Sequence, residues 1–181
     1  AANGPRGSRE TETFLISVAR KGLGCRLWVR ELLEGYLHEG FVDLGFSMQD
    51  HFRQSDLQVA AVGWLAQHRH FARLAQRLGP ERLRSLDADR MTARPGEAIA
   101  AVASHFGIGL SPAETEEITT GPAFSRHSKS GASFTPEDRR SEYAAARAAH
   151  GEEIAMVLEW AAAVADGAGV AMEGPFPLLQ A

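Results

Sequence analysis

The amino-acid sequence predicts a mostly helical protein with one or two short strands. Apolar residues recur every three or four positions in several segments, which is the pattern of helices with one buried face. Proline or a capping residue opens several of these segments, and glycine follows several of them. The strands are too few for a self-contained α/β domain, so we expect an incomplete domain.

The first half of the chain is predicted to contain three helices after an N-terminal loop at residues 1–8. The first covers residues 11–23, the second about 25–38, and the third, which has the clearest pattern, about 55–78. Gly79-Pro80 ends the third helix. The predicted buried face of the first helix is Phe14, Leu15, Val18 and Ala19, and that of the second is Leu27, Trp28, Leu32, Leu33 and Tyr36. The predicted buried face of the third helix is Leu57, Ala61, Trp64, Leu65, His68, Phe71, Ala72, Ala75 and Leu78.

The second half begins with a predicted strand at residues 82–87, which is short and lies between two helices. A helix follows over about 95–106, with proline at its first position. Ser111-Pro-Ala-Glu114 predicts a capping box and a short helix that ends near Gly121. Residues 135–138 form a second such start, and that last long helix runs to about Asp166. The predicted buried face of the 95–106 helix consists of Ile99, Val102 and Phe106.

Composition and charge narrow the possible functions. The 181 residues suffice for one domain, and 44% hydrophobic and 23% charged residues are ordinary for a globular protein. A net charge of −4 gives no general attraction for nucleic acid, and no apolar run reaches the ~18 residues of a membrane span. Cys25 is the single cysteine, which excludes an internal disulfide and a cysteine-rich zinc centre. This usage fits a reducing compartment, so a cytoplasmic location is expected.

Arg9 and Ser17 are candidate phosphate ligands. Arg9 lies just ahead of the first predicted helix, and Ser17 lies one or two turns inside it. A guanidinium forms bidentate, charge-assisted hydrogen bonds with a phosphate, and backbone N–H groups at a helix start add to them. The alternative interpretation is a solvated arginine and a serine on the helix surface.

A polar loop at residues 124–134 is a second candidate anion site. It carries Arg126, His127 and Lys129 within four residues, together with several serines and Gly131. Few apolar groups accompany these cations, so the loop is either a phosphate clamp or a flexible polar connection between two helices. No histidine spacing predicts a metal site, and neither a GxxxxGK[ST] phosphate loop nor a GxSxG elbow is present.

Three segments resemble the sulfotransferases that use 3′-phosphoadenylyl sulfate. Residues 9–17, RETETFLIS, keep the first and last residues of the family's Arg-Asn-Pro-x-Asp-x-x-x-Ser segment. Residues 61–110 resemble a block in which a helix, a strand, an acidic turn and a proline-started helix follow one another, with Leu86-Asp-Ala-Asp89 at the acidic turn. Residues 124–134 resemble the late Arg-Lys-Gly-x-x-Gly loop, with Arg126 in register.

The resemblance implies a nucleotide site without a metal. Arg9 and Ser17 would hold the 3′-phosphate of 3′-phosphoadenylyl sulfate, and Arg126 and Lys129 would contact the same phosphate. The implied reaction transfers the sulfuryl group to a hydroxyl or amine of a small-molecule or glycan acceptor. The family's phosphate loop and catalytic base have no counterpart in this sequence, so the catalytic residues are unassigned and whether the chain is itself an enzyme stays open.

The same resemblance assigns residues 9–166 to the C-terminal part of an α/β P-loop-type sulfotransferase domain, followed by an irregular tail at 167–181. Only eight residues precede Arg9, so we expect a fragment or a naturally short relative. The alternative function is a non-enzymatic helical binding or scaffold module, whose basic loop and apolar tail would contact a protein partner. The sequence predicts neither the acceptor nor the oligomeric state.

Overall fold

A computed structural model of the chain describes residues 7–126 and 135–180. Their secondary structure is almost entirely helical, which confirms the mostly helical prediction. The helices of the described residues are α1 (Gly7–Arg20), α2 (Gly22–His38), α3 (Met48–Arg53), α4 (Asp56–Leu78), α5 (Ala88–Ala93), α6 (Pro95–His105), α7 (Pro112–Thr120), α8 (Pro122–Ser125) and α9 (Pro136–Ala168).

Residues 82–87, the predicted strand, do not form a strand. Ser85 makes a single parallel β-bridge with Pro177, and Asp87 already serves as the N-cap of α5. Phe176 has φ +49, outside the extended region, and the partner segment enters α5 directly after Asp87, so the bridge does not continue into a ladder. The strand prediction is therefore wrong, and the described residues form no sheet of the kind that an α/β P-loop fold requires.

The predicted helix starts and stops are mostly confirmed by cap geometry. Ser111 accepts a hydrogen bond from the backbone of Glu114 and completes a capping box at the start of α7. Pro95 occupies the first turn of α6, as predicted. The start of the chain differs from the prediction, because α1 begins at Gly7 and therefore includes Arg9 in its first turn.

Two compact units divide the described residues. Unit 1 comprises those up to Leu74 together with Glu142–Glu173, and unit 2 comprises those of Ala75–Ser141 together with the residues from Gly174 onward. The hydrophobic core of unit 1 is built from α1, α2, the first turns of α4 and the second half of α9. Its fully buried large side chains include Leu15, Ile16, Leu57, Val59, Val62 and Leu65.

Helix α2 buries only part of the predicted face: Leu33 is buried, and Leu32 and Tyr36 are partly buried. Val29 and Leu33 are buried, whereas Leu27 and Trp28 are 54% and 52% exposed. Arg26 and Arg30 lie beside the buried stripe of Val29 and Leu33, where they bond to acidic side chains of other helices. Leu27 and Trp28 stay at the surface.

Unit 2 has a much smaller apolar interior. Its buried apolar side chains among the described residues are Ala75, Ala98, Ala103 and Leu179. The prediction that Phe106 is buried is wrong, since this residue is the C-cap of α6 and is 70% exposed. Small side chains on the inner face of α6 allow helices to approach closely, but they remove little apolar surface from water.

Candidate functional site

Arg9 and Ser17 share one helix in unit 1. Both lie in α1, eight residues apart, which separates their Cα atoms by about 12 Å along the helix axis. Ser17 is partly buried, whereas for Arg9 the structure describes only the backbone. A loop arginine reaching back toward a helical serine was the arrangement expected from the sequence.

The two other predicted phosphate ligands belong to the polar loop. Arg126 follows α8 in unit 2 as its C-cap and is exposed. Its backbone N–H donates to Pro122 O at 3.1 Å. Lys129 and His127 lie outside the described residues. The grouping of these cations with Arg9 and Ser17 at one phosphate therefore stays a prediction.

A group of ion pairs in unit 1 was not anticipated from the sequence. The Arg26 guanidinium forms two hydrogen bonds with the Glu153 carboxylate, at 3.1 and 2.9 Å. Arg30 donates to Asp56 Oδ1 at 2.5 Å and to the Gln54 carbonyl at 2.8 Å. The hydrogen bond from Arg26 is the main reason that the pKa of Glu153 is lowered from its ordinary value. These contacts tie α2 to α9 and to the start of α4.

His51 and Gln54 form a buried polar contact in unit 1. The side chains are 5% and 7% exposed, and His51 Nδ1 lies 3.1 Å from Gln54 Oε1. Gln54 Nε2 is buried and meets no acceptor among the described residues. The ring of Phe46 packs edge-on against His51, with centroids 5.6 Å apart. When His51 carries a proton on Nδ1, this nitrogen donates to Gln54 Oε1.

The sequence of this region contains one local signal for a helix start. Ser47 and Asp50 form a capping box at the start of α3, in a segment whose mixed residues give no clear periodicity. Once α3 is placed, His51 and Gln54 are three residues apart, so their side chains lie on the same face of the turn. The ion pairs of Arg26 and Arg30 had no such local signal, because their partners are distant in sequence.

His68 packs against Trp64 one turn earlier on α4. The two rings stack with centroids 3.6 Å apart. Burial disfavours the charged imidazolium and lowers the pKa of His68 to about 4. A neutral histidine stacked on an indole is a packing residue, in agreement with its predicted place on the buried face of this helix.

Two kinds of feature are absent from the described residues, namely groups of metal ligands and helices that could span a membrane. No group of three or more His, Cys, Asp or Glu side chains is placed to hold a metal ion. No helix in the same ranges has both the length and the apolar character needed to cross a bilayer.

Comparison with protein-family models, with curated proteins and with solved structures finds no match to this chain.

Proposed function

We propose that this chain is a sulfotransferase-like protein that binds 3′-phosphoadenylyl sulfate. The family reaction transfers the sulfuryl group to a hydroxyl or amine of a small-molecule or glycan acceptor. The S–O bond to the donor phosphate breaks, the acceptor oxygen or nitrogen bonds to sulfur, and a base takes the acceptor's proton. This chain supplies no assigned base, and its proposed part is the binding of the donor.

The order of elements from α4 to α6 is the observation that carries the proposal. The long helix α4 bears Trp64 and is followed by an extended residue, Ser85, in a parallel β-bridge. Asp87 then caps α5, and α6 starts at Pro95 and stops before Gly107. The resemblance implies a helix, a strand, an acidic turn and a proline-started helix in this order. The described residues keep the two helices and the acidic turn, with a single β-bridge at the place of the strand.

The proposed donor ligands are Arg9, Ser17, Arg126 and Lys129. Arginine and lysine would neutralise the 3′-phosphate, and the Ser17 hydroxyl would donate a hydrogen bond to it. Cations at this phosphate hold the nucleotide in place and favour the charge that appears on the departing bisphosphate. The proposal includes a cytoplasmic location, which is a reducing compartment where the donor nucleotide would be available.

Binding of adenosine 3′,5′-bisphosphate to the full chain tests the proposal by isothermal titration calorimetry. Adenosine 5′-monophosphate is the matched ligand control because it differs only in the missing 3′-phosphate. We expect at least tenfold tighter binding of the bisphosphate, which corresponds to about 1.4 kcal/mol. Arg126→Ala should remove most of this preference, since a hydrogen bond to a charged group contributes about 1.5–3 kcal/mol.

Arg77→Ala is the matched protein control, because Arg77 is an exposed arginine on α4 in the same unit as Arg126. This variant should bind both nucleotides like the unchanged chain. Equal affinity for the two nucleotides, or equal losses in Arg126→Ala and Arg77→Ala, would contradict a 3′-phosphate site that includes Arg126.

A helical binding module is the second candidate function, and the surface of α2 favours it. Leu23, Leu27 and Trp28 are 70%, 54% and 52% exposed, which is unusual for neighbouring large apolar side chains on one helix. Sedimentation velocity would show concentration-dependent association of the chain if this surface pairs two copies. Leu27→Glu should abolish the association, whereas Phe106→Glu, at an exposed apolar residue of unit 2, should leave it unchanged.

A further inference from the structure

The exposed face of α2 in unit 1 carries three large apolar side chains, which we call the α2 patch. Leu23, Leu27 and Trp28 are 70%, 54% and 52% exposed. Leu23 lies one helical turn before Leu27, and Trp28 follows Leu27 directly, so the three side chains are neighbours on the helix surface. The patch is centred at position 26 along the helix.

A glycine leaves the backbone of α2 open beside the patch. Gly24 is exposed and lies one turn before Trp28. A Cβ at Gly24 would meet no atom within 4 Å. Because glycine has no side chain, an aromatic ring from another molecule can lie directly on the helix at this position.

Unpaired charges of opposite sign lie at the two ends of the patch. Lys21 immediately precedes α2, Glu31 lies one turn after Leu27, and both charged side chains are exposed. Neither forms an ion pair within the described part of the chain, whereas three arginines nearby are each paired with a carboxylate of another helix. Lys21 and Glu31 are five residues before and five residues after the centre of the patch.

A second copy of the same face complements both the apolar patch and these charges. In a two-fold dimer the same surface lies on both sides, and every contact between unlike residues occurs twice. When two α2 helices pair antiparallel about position 26, residues equally far from that position lie opposite each other. Lys21 of each copy then lies opposite Glu31 of the other, and Trp28 lies opposite Gly24. A parallel pairing would instead bring like charges together.

We propose that the exposed face of α2 pairs with the same face of a second copy in an antiparallel two-fold dimer, in which Lys21 of each copy binds Glu31 of the other. This inference rests on the second candidate function, a helical binding module, and names its partner. The patch consists of three side chains and is small beside the about 800 Å² per partner of a standard interface, so we expect a weak dimer with a micromolar Kd.

Charge reversal tests the pairing by sedimentation velocity of the full chain. Lys21→Glu and Glu31→Lys each bring like charges together at both symmetric contacts, so either change alone should weaken self-association by about fivefold or more. Between one chain of each variant, both contacts again join opposite charges. We therefore expect an equimolar mixture of the two variants to associate about as tightly as the unchanged chain.

Gly24→Gln tests the contact made by Trp28. Glutamine is a better helix former than glycine, so the free energy of unfolding, measured by urea denaturation, should not fall. Its side chain would occupy the space opposite Trp28, so self-association should weaken by about fivefold or more. Gly35→Gln is the matched control and should leave association unchanged. Gly35 is also exposed on α2 without an atom near its Cβ position, but it would lie opposite position 17, which precedes α2.

Glu34→Lys is the matched control for the charge reversals. Glu34 is an exposed residue of α2 whose opposite position, 18, also precedes the helix, so this change should leave association unchanged. An effect as large as that of Glu31→Lys would overturn the register. Absence of association of the unchanged chain at hundreds of micromolar would overturn the dimer.

The two charge-reversed chains also separate this dimer from the function on which it rests. Association that Leu27→Glu abolishes but that the mixture of Lys21→Glu and Glu31→Lys chains does not restore would keep α2 as a binding surface and overturn the antiparallel pairing. None of these variants changes a proposed ligand of the donor nucleotide. Failure of the dimer and failure of nucleotide binding are therefore distinguished.

Discussion

The pair of Arg26 and Glu153 joins α2 to α9 within unit 1. Both side chains are only partly exposed, at 18% and 33%, and they are joined by two hydrogen bonds. Glu153→Gln would remove the charge of one partner and leave the Arg26 guanidinium without its anion. We expect a loss of about 1–3 kcal/mol in the free energy of unfolding at neutral pH, measured by urea denaturation.

The pH dependence of this loss has a defined sign. The pKa of Glu153 is lowered in the folded chain, mainly by the hydrogen bond from Arg26, so the unfolded state takes up the proton first. The stability that the pair contributes is fully present at pH values above 4.5, the ordinary pKa of a glutamate. It is lost as the pH falls through the lower pKa that Glu153 has in the folded chain. The difference between the unchanged chain and Glu153→Gln should therefore shrink in acid.

Arg20 and Glu142 provide the control for this prediction. This pair joins α1 to α9, but its side chains are 34% and 40% exposed. Glu142→Gln should cost less than about 1 kcal/mol, because solvent screens exposed ion pairs. A loss as large as that of Glu153→Gln would show that burial does not set the strength of these pairs.

In unit 1, replacing a glycine with alanine should have opposite effects on stability inside a helix and at a helix end. Gly151 lies inside α9, where a Cβ would meet no atom within 4 Å. Gly40 follows α2 with φ +65, a conformation that side chains with a Cβ rarely adopt. Gly151→Ala should raise the free energy of unfolding by about 0.5–1 kcal/mol. Gly40→Ala should lower it by about 1–2 kcal/mol, as measured by urea denaturation of both variants.

The result for Gly40 serves as the control for Gly151, since both glycines lie in unit 1 and neither has a close neighbour. A change of the same sign in the two variants would mean that backbone conformation does not decide the effect. Stabilisation by Gly40→Ala would also contradict the left-handed turn at the end of α2.

Helix boundaries were predictable from the sequence because their causes are local. Ser111 with Glu114 and Thr135 with Asp138 form the predicted capping boxes. The buried faces were less predictable, since they depend on partners far along the chain. The spacing of Trp28 predicts that it is buried, but α2 buries Val29 and Leu33 against distant helices, Arg26 pairs with Glu153, 127 residues away, and Trp28 is exposed. The ligand roles of Arg9 and Ser17 depend on such distant partners too.

Unit 1 buries more apolar side-chain surface than unit 2 does. We therefore expect unit 2 to unfold locally more readily than unit 1. The core of unit 1 contains large aliphatic side chains such as Leu15, Leu57 and Ile154. In unit 2 the buried apolar side chains of the described residues are three alanines and Leu179. A fully buried leucine contributes about 1.5–3 kcal/mol, whereas an alanine contributes much less. Unit 2 therefore has less free energy to resist local unfolding.

Native-state hydrogen exchange, followed by mass spectrometry at low urea concentrations, measures this difference directly. Amides of α6 and α7 should exchange at least tenfold faster than those of α1 and of residues 154–165 in α9, because they open without unfolding of unit 1. Leu179→Ala should accelerate exchange in α5 and α6 and leave α1 unchanged, since Leu179 is the one large side chain buried in the described part of unit 2. Equal protection of all these helices would mean that the chain unfolds as one cooperative body, in which case the small core of unit 2 would not act as a separate weak point.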